Sequence, residues 1–175
     1  QQGIAIQAHP LEPTPLERVI DAGAAHIAVR DQIADPHNLG AILRSAAAFG
    51  VDALVLQTRH APAITGIVAK SAAGAAETVT ECRVVNIARA LDALRDAGYH
   101  CVGLAGVGTE RIETAINGAP NLAIGLGAEG SGLRPAVAKA CDTLAKIEIS
   151  SAMESLNVSN DAAITFYAAQ RAGFP

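Results

Sequence analysis

Short apolar runs recur along the chain, separated by segments in which apolar residues return at helical spacing. HIAVR (26–30), ALVLQ (53–57), CVGLAG (101–106), NLAIGLG (121–127) and LAKIEI (144–149) predict short buried strands. Helices are predicted between them, over 38–49, 62–70, 86–97 and about 134–140, and a last one over 157–171 follows the final strand. Apolar strands alternating with helices predict an α/β fold, a mostly parallel sheet with helices on both faces.

The same pattern suggests domain organisation. Residues 1–20 contain AHPLEPTPLE (8–17), the one loose stretch, and are expected to be an entry arm or linker remnant. Residues 21–175 are expected to form a single domain, because 50% hydrophobic residues in a chain of 175 can fill one sizeable core. Every apolar run is broken by a charge, Gly or Pro well short of about 18 residues, so no helical membrane span is expected. No basic-then-apolar leader opens the chain, and a soluble, cytoplasmic protein is expected. Cys82, Cys101 and Cys141 lie far apart without a CxxC pair or a nearby His, so they are expected to be reduced and structural, with no metal site.

Charge narrows the function. The formal charge is −4 and aromatics make up 3% of residues, which argues against a base-stacking platform and against a stand-alone nucleic-acid binder with a basic surface. If the chain acts on nucleic acid, Arg30, Arg44, Arg59 and Lys70 are the local cations expected to meet phosphates, and binding by the chain alone should be weak and steeply salt-sensitive.

Three segments carry candidate chemistry. In DPHNLGAILRSAAAFG (35–50), Leu39, Ile42, Leu43, Ala46 and Phe49 form the core stripe of a helix, and Arg44 lies opposite among Gly40, Ala41, Ala47 and Ala48. Two readings of Arg44 stand: a solvated surface arginine, or a guanidinium on bare surface that a phosphate or ribose can approach closely. Asn38 is either a helix cap or a ligand contact. NLAIGLGAEGSGL (121–133) runs from a strand into Gly125, Gly127, Gly130 and Gly132, with Glu129 among them. Such glycines either supply turns or let backbone approach a ligand at the carboxyl edge of the sheet. In SLNVSNDAAITFY (155–167) one polar residue suffices to cap the helix, so the remaining polar groups need other partners if buried, a bound polar ligand being one.

In this order, NLGAILRSAAAFG, LGAEGSGL and SLNVS resemble the three motifs of the SpoU-type (TrmH-like) RNA ribose 2′-O-methyltransferases of the SPOUT superfamily. The resemblance runs from His26 to Tyr167. KSAAGAAE (70–77), VNIARALDALRDAGYHCVGL (85–104) and AKACDTLAKIEI (138–149) look most like the branch that methylates a guanosine of 23S rRNA. What the resemblance implies is a homodimer with a C-terminal trefoil knot, S-adenosylmethionine as cofactor, an RNA substrate, and a small RNA-binding domain upstream of this chain. It assigns Leu104, Ala105, Gly106, Gly127, Ile147 and Leu156 to the cofactor loops, and Arg44, Asn38, Glu129, Ser155 and Asn157 to the catalytic positions. One departure stands out: the family's Ile-Pro-Met-like run is Ile147-Glu148-Ile149 here, which frees the backbone and places a carboxylate either near the cofactor or in solvent.

The implied reaction is attack of a ribose 2′-hydroxyl on the sulfonium methyl group, with no metal. Arg44 either takes the proton, although a guanidinium is rarely deprotonated, or stabilises the developing alkoxide. Rival expectations are a tRNA methyltransferase of the same family, a non-catalytic RNA-binding or assembly module, and an NAD-dependent oxidoreductase suggested by the GLGAEG match to GxGxxG.

Overall fold

A computed structural model describes residues 12–59, 61, 62, 68, 70, 72 and 74–174. Its strands are β1 (His26–Arg30), β2 (Ala53–Gln57), β3 (Thr80–Val84), β4 (His100–Leu104), β5 (Glu110–Arg111), β6 (Leu122–Leu126) and β7 (Thr143–Lys146). They form one sheet in the order β3-β2-β1-β6-β4-β7-β5, and every pairing is parallel. The helices are α1 (Leu16–Asp21), α2 (Pro36–Ala48), α3 (Ile87–Asp96), α4 (Ile112–Ala115), α5 (Pro135–Ala140) and α6 (Val158–Arg171).

Alternation along the strands feeds two cores. Ala28, Leu54, Leu56, Leu122, Ile124 and Leu126 point to the face covered by α2, α4 and α6, where Leu39, Ile42, Leu43, Ala46, Ala162 and Phe166 pack. Ile27, Val29, Ala53, Val55 and Ala123 point to the opposite face, covered by α1, α3 and α5. Both faces are buried, which explains why β1 is buried along its whole length and carries no solvent-facing residue. Leu16 and Val19 of α1 belong to the second core, so packing begins ahead of residue 21.

Several boundaries differ from the expectation. The helix expected over 62–70 lies outside the described residues except at 62, 68 and 70. β3 and β5 escape the pattern because they are the sheet edges: β3 buries Cys82 between the charged Glu81 and Arg83, and both residues of β5 are exposed. Charged edge strands of this kind resist pairing with other chains. β7 stops at Lys146 rather than 149, since Ile147 and Ile149 alternate like a strand but line a cavity. Asn38 is not the cap of α2. Asp35 is: it accepts the His37 amide proton at 2.9 Å, and Pro36, lacking an N–H, takes the first helical position.

The thiols of Cys82, Cys101 and Cys141 are free, as expected. Burial pushes Cys82 up to about 11 and Cys101 and Cys141 up to about 12.

His26 is fully buried, edge-on to Phe166 (centroids 5.8 Å apart) and tilted against Phe174 (5.7 Å), and neither ring nitrogen has a hydrogen-bond partner. Burial lowers its pKa to about 4, against the opposing pull of Asp52. The unfolded chain therefore takes up this proton near pH 6.5 while the folded chain refuses it until about pH 4. Stability is complete above pH 6.5 and falls as pH drops toward 4, by roughly 3 kcal/mol at most. Urea unfolding at pH 7 and pH 4.5 should show this loss in the wild type and a smaller one in His26→Leu. Equal losses in the two proteins would assign the acid sensitivity to other groups.

Candidate active site

The sheet order reverses between β1 and β6, and open parallel sheets bind ligands at the carboxyl ends of strands flanking such a reversal. Two cavities lie there. The first is lined by Leu104, Ala105 and Gly106 after β4, by Leu126, Gly127, Ala128, Glu129, Gly130 and Gly132 after β6, and by Ile147, Ile149, Glu154, Ser155, Leu156, Val158 and Asp161 from the segment after β7 and the start of α6. The second, of about 650 Å³, is lined by Arg30, Gln32, Ile33, Ala34, Asp35 and Asn38, by Arg59, Ala61 and Pro62, and again by Ala128 and Glu129. The two cavities share Ala128 and Glu129 as a common wall.

The glycines of that wall have distinct causes. Ala128 and Gly132 exchange two backbone hydrogen bonds of 2.9 Å, folding residues 127–132 back on themselves. Gly130 (φ 77°) and Gly132 (φ 68°) supply the left-handed turn. At Gly127 a Cβ would sit 2.1 Å from the Gly132 carbonyl carbon and 2.3 Å from the Leu133 nitrogen. What approaches Gly127 so closely is the loop's own backbone, and the cavity is shaped by that closure.

The end of β1 holds this loop. Asp31, 1% exposed, accepts the Arg134 backbone N–H at 3.1 Å and the Arg134 guanidinium through Nε at 2.9 Å. Arg30, expected as a cation for phosphates, is instead 2% exposed, and its Nη1 donates to the carbonyls of Asp31, Leu126 and Gly127. Burial lowers the Arg30 pKa to about 10, which leaves it charged at neutral pH. Gln32 follows in the left-handed region (φ 56°), unusual for a residue with a side chain, and the chain turns there into the second cavity.

Of the expected catalytic residues, Glu129 and Ser155 line the first cavity together with all six expected cofactor residues. Asn38 lines the second cavity, which Glu129 also lines. Asn157 lines neither: its Oδ1 accepts from the Ser159 N–H at 2.8 Å and from the Ser159 hydroxyl at 2.6 Å, capping α6. Of the polar residues before α6, then, Asn157 serves the helix and Ser155 faces the cavity. Arg44 is exposed on α2 and also lines neither cavity. Glu148 is turned outward, half exposed and 3.4 Å from Arg111 Nε, while Ile147 and Ile149 face the cavity on either side of it.

Glu154 and Asp161 were not anticipated. Asp161 sits four residues after the cap, one turn into α6, and burial raises its carboxyl pKa. That helical spacing from the third motif is the signal that could have found it. Among the described residues, no group of His, Cys, Asp and Glu could hold a metal ion, and no helix is long and apolar enough to cross a membrane.

The chain is 40% identical over 168 residues, 95% of its length, to the 23S rRNA (guanosine-2′-O-)-methyltransferase RlmB of Burkholderia sp., and 44% identical over 147 residues, 84% of its length, to that of Coxiella burnetii. It spans 66% and 58% of those proteins, under two thirds of each. Among solved structures, the SpoU methyltransferase AviRb of Streptomyces viridochromogenes, in complex with AdoMet, superposes with a TM-score of 0.81 at 26% identity, covering 92% of this chain and 65% of AviRb. The pattern of the SpoU rRNA Methylase family matches residues 25–167, spanning the sheet and both cavities. A seven-stranded parallel sheet with three loops meeting at its carboxyl edge, the family match and the extent of identity agree, and the chain belongs to the SpoU rRNA methylase family.

Proposed function

We propose that this domain transfers a methyl group from S-adenosylmethionine to a ribose 2′-hydroxyl of RNA, at a guanosine of 23S rRNA. The observation that carries the proposal is the pair of cavities meeting at Ala128 and Glu129, one suited to the cofactor and one to the nucleotide. The first cavity fits the cofactor chemically. Leu104, Leu126, Ile147 and Leu156 offer apolar surface to an adenine, and Gly106 and Gly130 leave backbone open. The charged residues in the lining are Glu129, Glu154 and Asp161, all acidic, which favours a ligand carrying an ammonium and a sulfonium.

When bound, S-adenosylmethionine supplies an electrophilic methyl group. The protein's residues do the rest. The three loops hold the donor at the wall between the cavities, and Asn38 offers hydrogen bonds to the sugar or phosphate on the other side. Glu129, at the wall, orients the 2′-hydroxyl, and Ser155 helps fix the donor end of the first cavity. Asn157 holds Ser159 and the start of α6, keeping the adjoining segment in place. Arg44 stabilises charge as the hydroxyl loses its proton.

We further infer a homodimer. Ile164 (40% exposed) and Tyr167 (52%) form an uncovered apolar face on α6, with Tyr167 stacked edge-on against Phe49 at 5.7 Å. Arg44, outside both cavities of its own chain, then meets the nucleotide across the subunit boundary. In titration calorimetry the chain should bind S-adenosylmethionine saturably and not NAD, and should methylate a guanosine ribose in 23S rRNA fragments. Absent binding would leave the inert module standing, and methylation of tRNA alone would refute the rRNA assignment.

A further inference from the structure

Arg30 is the one arginine buried among the described residues, and it ends β1 in register with Leu126 of β6. Desolvating a guanidinium costs several kcal/mol. The compensation is partial: the Asp31 and Glu129 carboxylates favour its charge without outweighing desolvation, all the hydrogen bonds come from Nη1, and the buried Nε has no partner. A stabilising role accounts poorly for such a residue. Its location suggests another, because the carbonyls it holds, Leu126 and Gly127, begin the segment that walls off the two cavities, and the neighbouring Asp31 holds the segment's other end through Arg134. Arg30, the last residue of β1, and Asp31, which follows it, thus fasten both ends of the loop that carries Glu129.

We propose that Arg30 is a positioning residue for methyl transfer: by holding the Leu126 and Gly127 carbonyls it sets the wall between the two cavities and the placement of Glu129. This rests on the methyltransferase reading above. Arg30 borders the second cavity but is only 2% exposed, with its Nη1 turned to the Leu126 and Gly127 carbonyls, so it acts through the loop. The three acceptors converge on one nitrogen at the end of the side chain; a lysine ammonium is one bond shorter but keeps the charge and N–H donors near them, whereas methionine fills the space and holds nothing.

The test uses Arg30→Met and Arg30→Lys in the full chain, with wild type as control. Melting temperature, S-adenosylmethionine affinity by calorimetry, and kcat and RNA KM for methyl transfer are measured. Arg30→Met should fold with a melting temperature at or above wild type, bind the cofactor roughly tenfold more weakly and lose roughly tenfold or more in kcat, with RNA KM within about twofold. Arg30→Lys, which keeps a donor and the charge beside the carbonyls, should recover part of both losses. Wild-type cofactor affinity and kcat in Arg30→Met would make Arg30 a core filler and overturn the proposal. A raised RNA KM with kcat intact would overturn it in favour of a phosphate contact, and failure of both variants to fold would reduce Arg30 to a fold residue. If wild type itself binds no S-adenosylmethionine, the methyltransferase reading falls, and that outcome is distinct from all of these.

Discussion

Arg44→Ala should lose roughly 10²-fold or more in kcat for methyl transfer while its melting temperature and cofactor affinity stay near those of wild type. The stability half follows from position. Arg44 is exposed on the side of α2 away from Leu39, Ile42, Leu43 and Ala46, and alanine is a good helix former. The affinity half follows from the cavities, since Arg44 lines neither. The kcat half rests on its charge being felt mainly as the 2′-hydroxyl gives up its proton. Survival of transfer would return Arg44 to the status of a surface arginine, and collapse of cofactor binding would show that it has been given the wrong role.

Gly127→Ala should have the opposite signature, with cofactor binding lost first. Its Cβ would meet backbone atoms of Gly132 and Leu133 at 2.1 and 2.3 Å, and neither side can yield as a flexible side chain would. The loop must open, at about 1–3 kcal/mol in stability, and the first cavity loses its shape. Calorimetry should record at least a roughly 10²-fold weaker affinity for S-adenosylmethionine, comparable to other misplacements of a positioned site. Gly130→Ala is the control: its Cβ would point into open space and the strain is confined to φ, about 1–2 kcal/mol at most. Similar affinities in the two variants would mean that loop closure does not shape the cavity. Mixing the two defective proteins tests the subunit boundary. If Arg44 reaches the partner's nucleotide, mixed dimers of Arg44→Ala and Gly127→Ala contain one intact site, and random mixing restores about a quarter of wild-type activity. If Arg44 serves its own chain, nothing is restored.

The interior strands were legible because burial on both faces leaves a continuous apolar signal: β1 and β2 begin and end at the residues that the pattern marks. The edges were not, since β3 and β5 bury little and alternate charge instead. Ile147 and Ile149 misled for a related reason, because periodicity records which positions are apolar and cannot tell a core from a cavity wall. Asn38 and Asp35 are both competent caps, and only the proline between them indicates which one the helix uses. The six residues gathered around the first cavity come from three distant segments, and it was motif resemblance, rather than spacing, that grouped them. Arg30 was misread for the simplest reason: an arginine in an apolar run looks like an exposed one until the carbonyls facing it are known.

The three thiols have a practical consequence for anyone handling this protein. Attack on a disulfide reagent requires thiolate, and with titration points near 11 and 12 almost none exists at neutral pH while the fold is intact. Labelling of the buried Cys82 and Cys101 must therefore wait for the chain to open around the sulfur, while Cys141 is partly exposed. Cys82 is in the outer strand β3, Cys101 in β4 near the middle of the sheet, and Cys141 just after α5. Cys82 and Cys101 are thus clocks for the edge and the middle of the sheet, and their relative alkylation rates rank how readily those two parts come apart.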